Sequence, residues 1–167
     1  PVLAVTDSQA FEKVSKAVPE DIPLTGFSIL SIRQKGDLAQ MVEGVKAVKT
    51  LRPGDKVLIA ESCTHHPMED DIGRLKIPRW LAEYVGGDLE IHIVPGYDYP
   101  DDLLTYKLVV HCGGCTLNRR EVLRRQSIPR SFGVPMTNYG VLIAFLKGVF
   151  PRALEPFPEV SGLFGKD

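Results

Sequence analysis

Beyond residue 55 four apolar runs, KVLIAE, LEIHIV, KLVVH and VPMT, alternate with segments of helical periodicity. Near-continuous Val, Ile and Leu suits strands covered on both faces, the habit of parallel sheets. Between the first two runs Ile77, Trp80, Leu81, Tyr84 and Val85 recur at helical spacing, and Gly86-Gly87 closes that face. Asn118 and Glu121 open a helix over NRREVLRRQ. Asn138 opens another over YGVLIAFLKGVF, which is apolar nearly all round and is expected to be buried. This rhythm predicts an α/β fold: a parallel sheet with helices on both faces, joined by right-handed crossovers.

The first fifty residues predict a small α/β helix-strand-helix segment ahead of that sheet. Thr6-Asp7-Ser8-Gln9 has the form of a capping box, and Phe11, Val14 and Val18 follow at helical spacing until Pro19 and Pro23. The run LTGFSILSI reads as a strand. Asp37 and Gln40 cap a helix with one apolar stripe of Leu38, Met41, Val42, Val45, Val48 and Leu51. Arg52-Pro53-Gly54-Asp55 breaks the pattern and divides the chain into residues 1–52 and 53–167. The closing SGLFGKD carries no pattern and reads as a loose tail, and no internal repeat is evident.

Composition narrows the function classes. With 167 residues and a net charge of −1, the chain has no basic excess for nucleic acid or an anionic membrane. No stretch approaches the roughly 18 to 20 apolar residues of a membrane span. The opening PVLAVTDSQ has no secretory leader and no initiator methionine, so the chain is expected to be part of a longer protein. Three cysteines without a leader indicate a reducing cytoplasm and metal or redox chemistry, not a disulfide framework.

Those cysteines sit where the predicted sheet would gather a ligand. Cys63 lies just past KVLIAE, and Cys112 and Cys115 lie just past KLVVH, giving Cys-x-His and then His-Cys-x-x-Cys. Open α/β sheets bind ligands beyond the carboxyl ends of their strands, so both halves are expected on one sheet edge. Thiolates with nearby imidazoles suit a soft metal or an iron–sulfur cluster. Gly113-Gly114 lets the backbone fold tightly around sulfur, and the helix opening at Asn118 brings its positive end to the same place. Both effects favour thiolate. Three thiolates leave a fourth position open. His111, beside Cys112, is the first protein candidate for it and His65 the second. His66, a carboxylate of Glu69, Asp70 or Asp71, and an exogenous ligand follow.

Other readings compete. A thioredoxin-like Cys112–Cys115 pair leaves Cys63 and the nearby histidines unexplained. A structural Cys3His zinc site needs no function beyond folding. An enzyme using an open iron as a Lewis acid would need acid–base residues around a closed pocket. Arg119, Arg120, Arg124 and Arg125 read as a solvated helix face, or as a basic group that balances an anionic cluster or steers an acidic partner. His92 reads as an ordinary strand residue, while Asn138 and Tyr139 fall on the same sheet edge as the cysteines. The chain has no G-x-x-x-x-G-K-[ST], G-x-G-x-x-G or G-x-S-x-G motif.

The segments GDKVLIAESCTHHP, DDIGRLKIPRWL, VVHCGGCTLNRRE and GVPMTNYGV resemble the HydF family of [FeFe]-hydrogenase maturation scaffolds, over about Thr6 to Pro158. That family combines a GTPase domain, a dimerisation domain and a cluster-binding domain. The resemblance implies a dimerisation-type subdomain, whole or partial, in residues 1–52 and a cluster-binding domain in 53–167, without the GTPase part. It implies a [4Fe–4S] cluster on Cys63, Cys112 and Cys115 with an exchangeable fourth position. It further implies a cytoplasmic homodimer that is a carrier, not an enzyme in its own right. Such a carrier would receive a di-iron precursor made with radical-SAM maturases and deliver it to apo-[FeFe]-hydrogenase. If LTGFSILSI is an edge strand, it could pair with its mate in that dimer.

Overall fold

The computed structural model describes residues 2–62, 71–96 and 98–163. The described chain is α/β, with parallel strands flanked by helices. A two-stranded parallel sheet comes first, pairing β1 (Ala4–Thr6) with β2 (Leu24–Gly26) around α1 (Phe11–Ala17). Helix α2 (Phe27–Lys35) and helix α3 (Leu38–Val45) follow. The main sheet holds β3 (Lys56–Glu61), β4 (Glu90–Pro95), β5 (Leu108–His111) and β6 (Met136–Asn138), all parallel, in the order β4-β3-β5-β6. Between and after them run α4 (Ile77–Val85), α5 (Arg119–Ser131), α6 (Tyr139–Leu146), α7 (Phe150–Leu154) and α8 (Pro158–Ser161).

That strand order places the site. The chain steps from β3 outward to β4, then returns across β3 to β5 and continues outward to β6. The direction of winding reverses between β3 and β5, and right-handed crossovers then set α4 and α5 on opposite faces. A crevice forms at such a reversal, beyond the carboxyl ends of the two central strands. Strands β3 and β5 are buried almost throughout, with Val57, Leu58, Ile59, Leu108, Val109 and Val110 fully enclosed. Each fully enclosed aliphatic side chain of this kind contributes about 1.5–3 kcal/mol through lost apolar surface.

The caps of the later helices form as the sequence reading expected. Asn118 accepts from Glu121 N at 2.9 Å, Asn138 accepts from Val141 N at 2.9 Å, and Asp37 accepts from Gln40 N at 3.0 Å. Gly86 ends α4 with φ +80°, a left-handed cap that costs a residue without Cβ little. An additional π-helical turn, Ile72–Lys76, precedes α4.

Two expectations for the first fifty residues are corrected. LTGFSILSI is strand only over Leu24–Gly26; from Phe27 it is helix, with Ile29 and Ile32 buried three positions apart. A short apolar run does not distinguish a strand from a buried helix, and Gly26 supplies the extended residue that starts α2. The capping box does not form, because α1 starts at Phe11 and Asp7 instead turns back to accept from Gln9 N at 2.8 Å. Strand β1 went unread, three residues being too few for a periodic signal. Later in the chain, YGVLIAFLKGVF is one helix only to Leu146, and Gly148 at φ +71° separates it from α7.

Helix α3 lies directly on strand β6, and Gly44 is the point of contact. A Cβ there would come under 3.0 Å from the backbone oxygen, carbon and nitrogen of Met136. Alanine would gain about 1 kcal/mol of helix propensity, but backbone cannot move aside as a flexible side chain can. Gly44→Ala is therefore expected to lower the stability of the chain by about 2 kcal/mol or more, read as a lower urea midpoint at unchanged slope.

Candidate metal centre

The register of β5 against β3 sets the start of the Cys112–Cys115 loop beside the end of β3. Ala60 pairs with His111, and the ladder runs one bond further as Cys112 N donates to Ala60 O at 3.0 Å. Ser62, the residue before Cys63, then reaches the buried Cys112 sulfur. Its backbone N–H lies 3.3 Å and its Oγ 2.8 Å from Cys112 Sγ. Amide and hydroxyl donors at this distance stabilise negative charge on sulfur. Cys112 and Cys115 are both free thiols, the first buried and the second exposed. Between them Gly114 takes φ +61°, the left-handed turn that swings the loop back. Lys35 of α2 donates to Cys115 O at 3.0 Å and closes the loop from outside.

Cys63, His65, His66, Glu69 and Asp70 lie outside the described residues. Among the described residues no three His, Cys, Asp or Glu side chains gather closely enough to hold a metal ion. Asp71 is engaged as a helix cap, accepting from Arg74 N at 2.9 Å. Asn138 is buried and caps α6, and His92 meets Tyr106 Oη at 2.7 Å away from the cysteines. A cleft of about 610 Å³ lies at the opposite, amino end of the sheet, lined in part by Arg52, Asp55, Leu104, Tyr106, Lys107 and Phe132.

His111 is held at both ring nitrogens. Nδ1 lies 2.6 Å from Cys112 O, and Nε2 lies 2.7 Å from Arg125 Nε. Arginine only donates, so Nε2 is the acceptor and Nδ1–H donates to the carbonyl: one neutral tautomer is selected. Burial, and secondarily the Arg125 charge, push the His111 pKa down to about 4. To ligate a metal through Nε2, His111 would have to release Arg125.

Arg125 corrects the reading of its arginine group as a solvated face. Its side chain is 1% exposed, and it donates to Gly96 O at 2.8 Å as well as to His111. Tyr99 stacks against the guanidinium at 5.1 Å and donates its hydroxyl to Arg125 O at 3.0 Å. Burial raises the Tyr99 pKa to about 12. The signal that places Arg125 inside is present in the sequence. Val122, Arg125, Gln126 and Pro129 are the buried residues of α5 and follow the i, i+3, i+4, i+7 spacing of a core stripe. Arg124, one residue earlier, forks onto Glu121 at 2.8 Å on the exposed side.

A parallel sheet whose winding reverses between β3 and β5 defines the class: an α/β protein with free thiols just beyond a central strand, Cys112 buried and Cys115 exposed. The described part of the donor set fits an iron–sulfur group, since it offers a buried sulfur hydrogen-bonded to an amide and a hydroxyl, and a left-handed glycine loop. The comparisons place the chain further. Residues 39–156 match the hydrogen maturase F tetramerization domain, and residues 1–36 match the hydrogen maturase F dimerization domain. The chain belongs to the hydrogen maturase F family. No curated protein matches the chain. Both matched domains are oligomerisation domains by description, and no described helix is long and apolar enough to cross a membrane.

The His111 pKa shift gives the metal-free chain a pH dependence of known sign. The folded value is lowered from 6.5 to about 4, so the unfolded chain binds the proton first as pH falls. The contribution, at most roughly 3 kcal/mol, is complete above pH 6.5 and is lost as pH drops towards 4. Melting temperatures of the metal-free chain across that window are expected to fall more steeply for the natural sequence than for His111→Gln.

Proposed function

We propose that this chain is the iron–sulfur-binding, oligomerising part of an [FeFe]-hydrogenase maturation scaffold. Membership in the hydrogen maturase F family ties it to hydrogenase maturation. The finer reading rests on one observation: the buried Cys112 sulfur accepts from the Ser62 N–H and shares a hydrogen bond with the Ser62 hydroxyl, both from the residue that leads into Cys63. In this reading Cys63, Cys112 and Cys115 hold a [4Fe–4S] cluster. When bound, the cluster supplies an iron with a replaceable fourth ligand. With Nε2 of His111 committed to Arg125, that position falls to His65, a nearby carboxylate or an exogenous ligand.

The work of the chain's own residues is to orient and protect. Ser62 directs its N–H at the Cys112 sulfur, Gly114 turns the loop between the two cysteines, the burial of Cys112 limits access of water and oxidants, and the exposed Cys115 leaves one side open. A site of this kind carries a di-iron precursor without turning over a substrate. It would accept the precursor from radical-SAM maturases and hand it to apo-[FeFe]-hydrogenase in the cytoplasm, with the chain as a homodimer or a larger assembly.

Anaerobic reconstitution with iron and sulfide, followed by EPR of the dithionite-reduced chain, tests this directly. The expected result is a reduced [4Fe–4S] signal that each of Cys63→Ser, Cys112→Ser and Cys115→Ser abolishes, and that cyanide or imidazole shifts. A colourless chain with stoichiometric zinc and no signal would mean a structural metal domain instead.

A further inference from the structure

Arg125 makes poor use of its charge in the chain as it stands. Burying a guanidinium costs several kcal/mol unless an anion pairs with it, and among the described residues no carboxylate bonds to this one. Among the described residues its two hydrogen-bond partners are a neutral imidazole and a carbonyl, and the buried Nη2 has no partner. The nearest helical carboxylate, Glu121 one turn earlier, spends its oxygens on Arg124. Buried, donor-rich and without a carboxylate partner among the described residues, this cation is suited to something negative.

Its position says what. Gly96 follows the end of β4 and His111 ends β5, so the guanidinium lies over the carboxyl edge of the sheet, where Cys112 begins the cysteine loop. In a guanidinium, Nε–H and one Nη2–H point the same way along one edge. Since Nε–H meets His111, the unused donor lies on the side of His111, whose neighbour is Cys112. Tyr99 stacks on the guanidinium and lies within the field of the Cys112 sulfur as well.

We propose that Arg125 is the built-in counter-charge of the cysteine-held cluster, a positioning residue whose free Nη2 donor serves the thiolate and sulfide atoms. The inference rests on the iron–sulfur reading above and names a residue that reading does not require. A cluster with three thiolates is net negative and gains a further negative charge on one-electron reduction. A fixed cation beside it therefore favours both retention and the reduced state. The same fork fixes the His111 ring and, through Nδ1–H, the carbonyl of Cys112.

The test compares the natural chain with Arg125→Gln, Arg125→Met and Arg125→Lys, each reconstituted anaerobically with ferrous iron and sulfide. Iron and sulfide content after desalting, the reduction potential from EPR-monitored dithionite titration, and circular dichroism of the metal-free chains are read together. The neutral variants are expected to fold, to bind the cluster about tenfold more weakly and to be reduced at more negative potential. The lysine variant is expected to keep the potential near that of the natural chain but to retain less iron, since one ammonium cannot serve His111, Gly96 and sulfur together. Folded neutral variants with full iron and an unchanged potential would overturn the assignment and leave the iron–sulfur reading intact. If neither neutral variant folds, Arg125→Lys decides on iron retention, and full retention overturns the assignment. A natural chain that takes up no cluster defeats the underlying reading and this one with it.

Discussion

The parallel pairing of β3 with β5 governs everything at the carboxyl edge of this sheet. These strands are about fifty residues apart in sequence, and their ladder sets Ala60 opposite His111. The ladder continues through Cys112 N to Ala60 O, so backbone bonds fix the first residue beyond the strand. A slip of one residue would turn His111 and every neighbour to the other face. The contact between Ser62 and Cys112 would vanish with it. Such a slip is prevented by burial: Val57 to Ala60 and Leu108 to Val110 are enclosed on both faces. A Cys-x-x-Cys loop alone could bind a metal in an unfolded chain, whereas the Ser62–Cys112 contact exists only when the sheet has formed.

Against this well-satisfied backbone, the side chains around His111 are arranged at an energetic disadvantage. Removing His111 from water and setting a guanidinium against it depress its proton affinity, and one donor of Arg125 has no partner among the described residues. A chain selected for stability alone would place an apolar residue at the Arg125 position of the α5 core stripe. Departures from local rules concentrate where a protein does its chemistry, and this one sits beside the cysteine loop. In the metal-free chain the arrangement is unfavourable; next to a thiolate-bound anion it becomes complementary.

How much of this the sequence displays depends on the length of each signal. KVLIAE, LEIHIV and KLVVH are read as strands because β-branched runs buried on both faces have few alternatives, and the caps at Asn118 and Asn138 mark their helices by local hydrogen bonding. The carboxyl-edge placement of Cys112 follows from those strands alone. By contrast, α2 was hidden in a run too short for its period to show, and β1 is three residues stabilised by its partner β2. Arg125 was hidden differently. Its neighbours Arg119, Arg120 and Arg124 suggest a charged surface, and only the spacing of Val122, Gln126 and Pro129 reveals that the fourth arginine points inward.

Helix α2 ties the oligomerisation segment to the candidate site. The matched domain families part between residues 36 and 39, yet hydrogen bonds cross that point in both directions. Gln126 of α5 accepts from Asp37 N at 2.8 Å and donates to Asp37 O at 2.9 Å, and Arg119 donates to Gln34 O at 2.8 Å. Lys35 holds the carbonyl of Cys115, and Ser28 fits against Gly140 so closely that a Cβ there would collide with it. The exposed bonds contribute modestly, about 1 kcal/mol each, but Ile29 and Ile32 are buried in the shared core. One wall of the cysteine loop thus belongs to the same helix that begins with the exposed Phe27. At its other end the same helix holds the Cys115 carbonyl through Lys35, so the segment matching the dimerization domain contacts the cysteine loop directly.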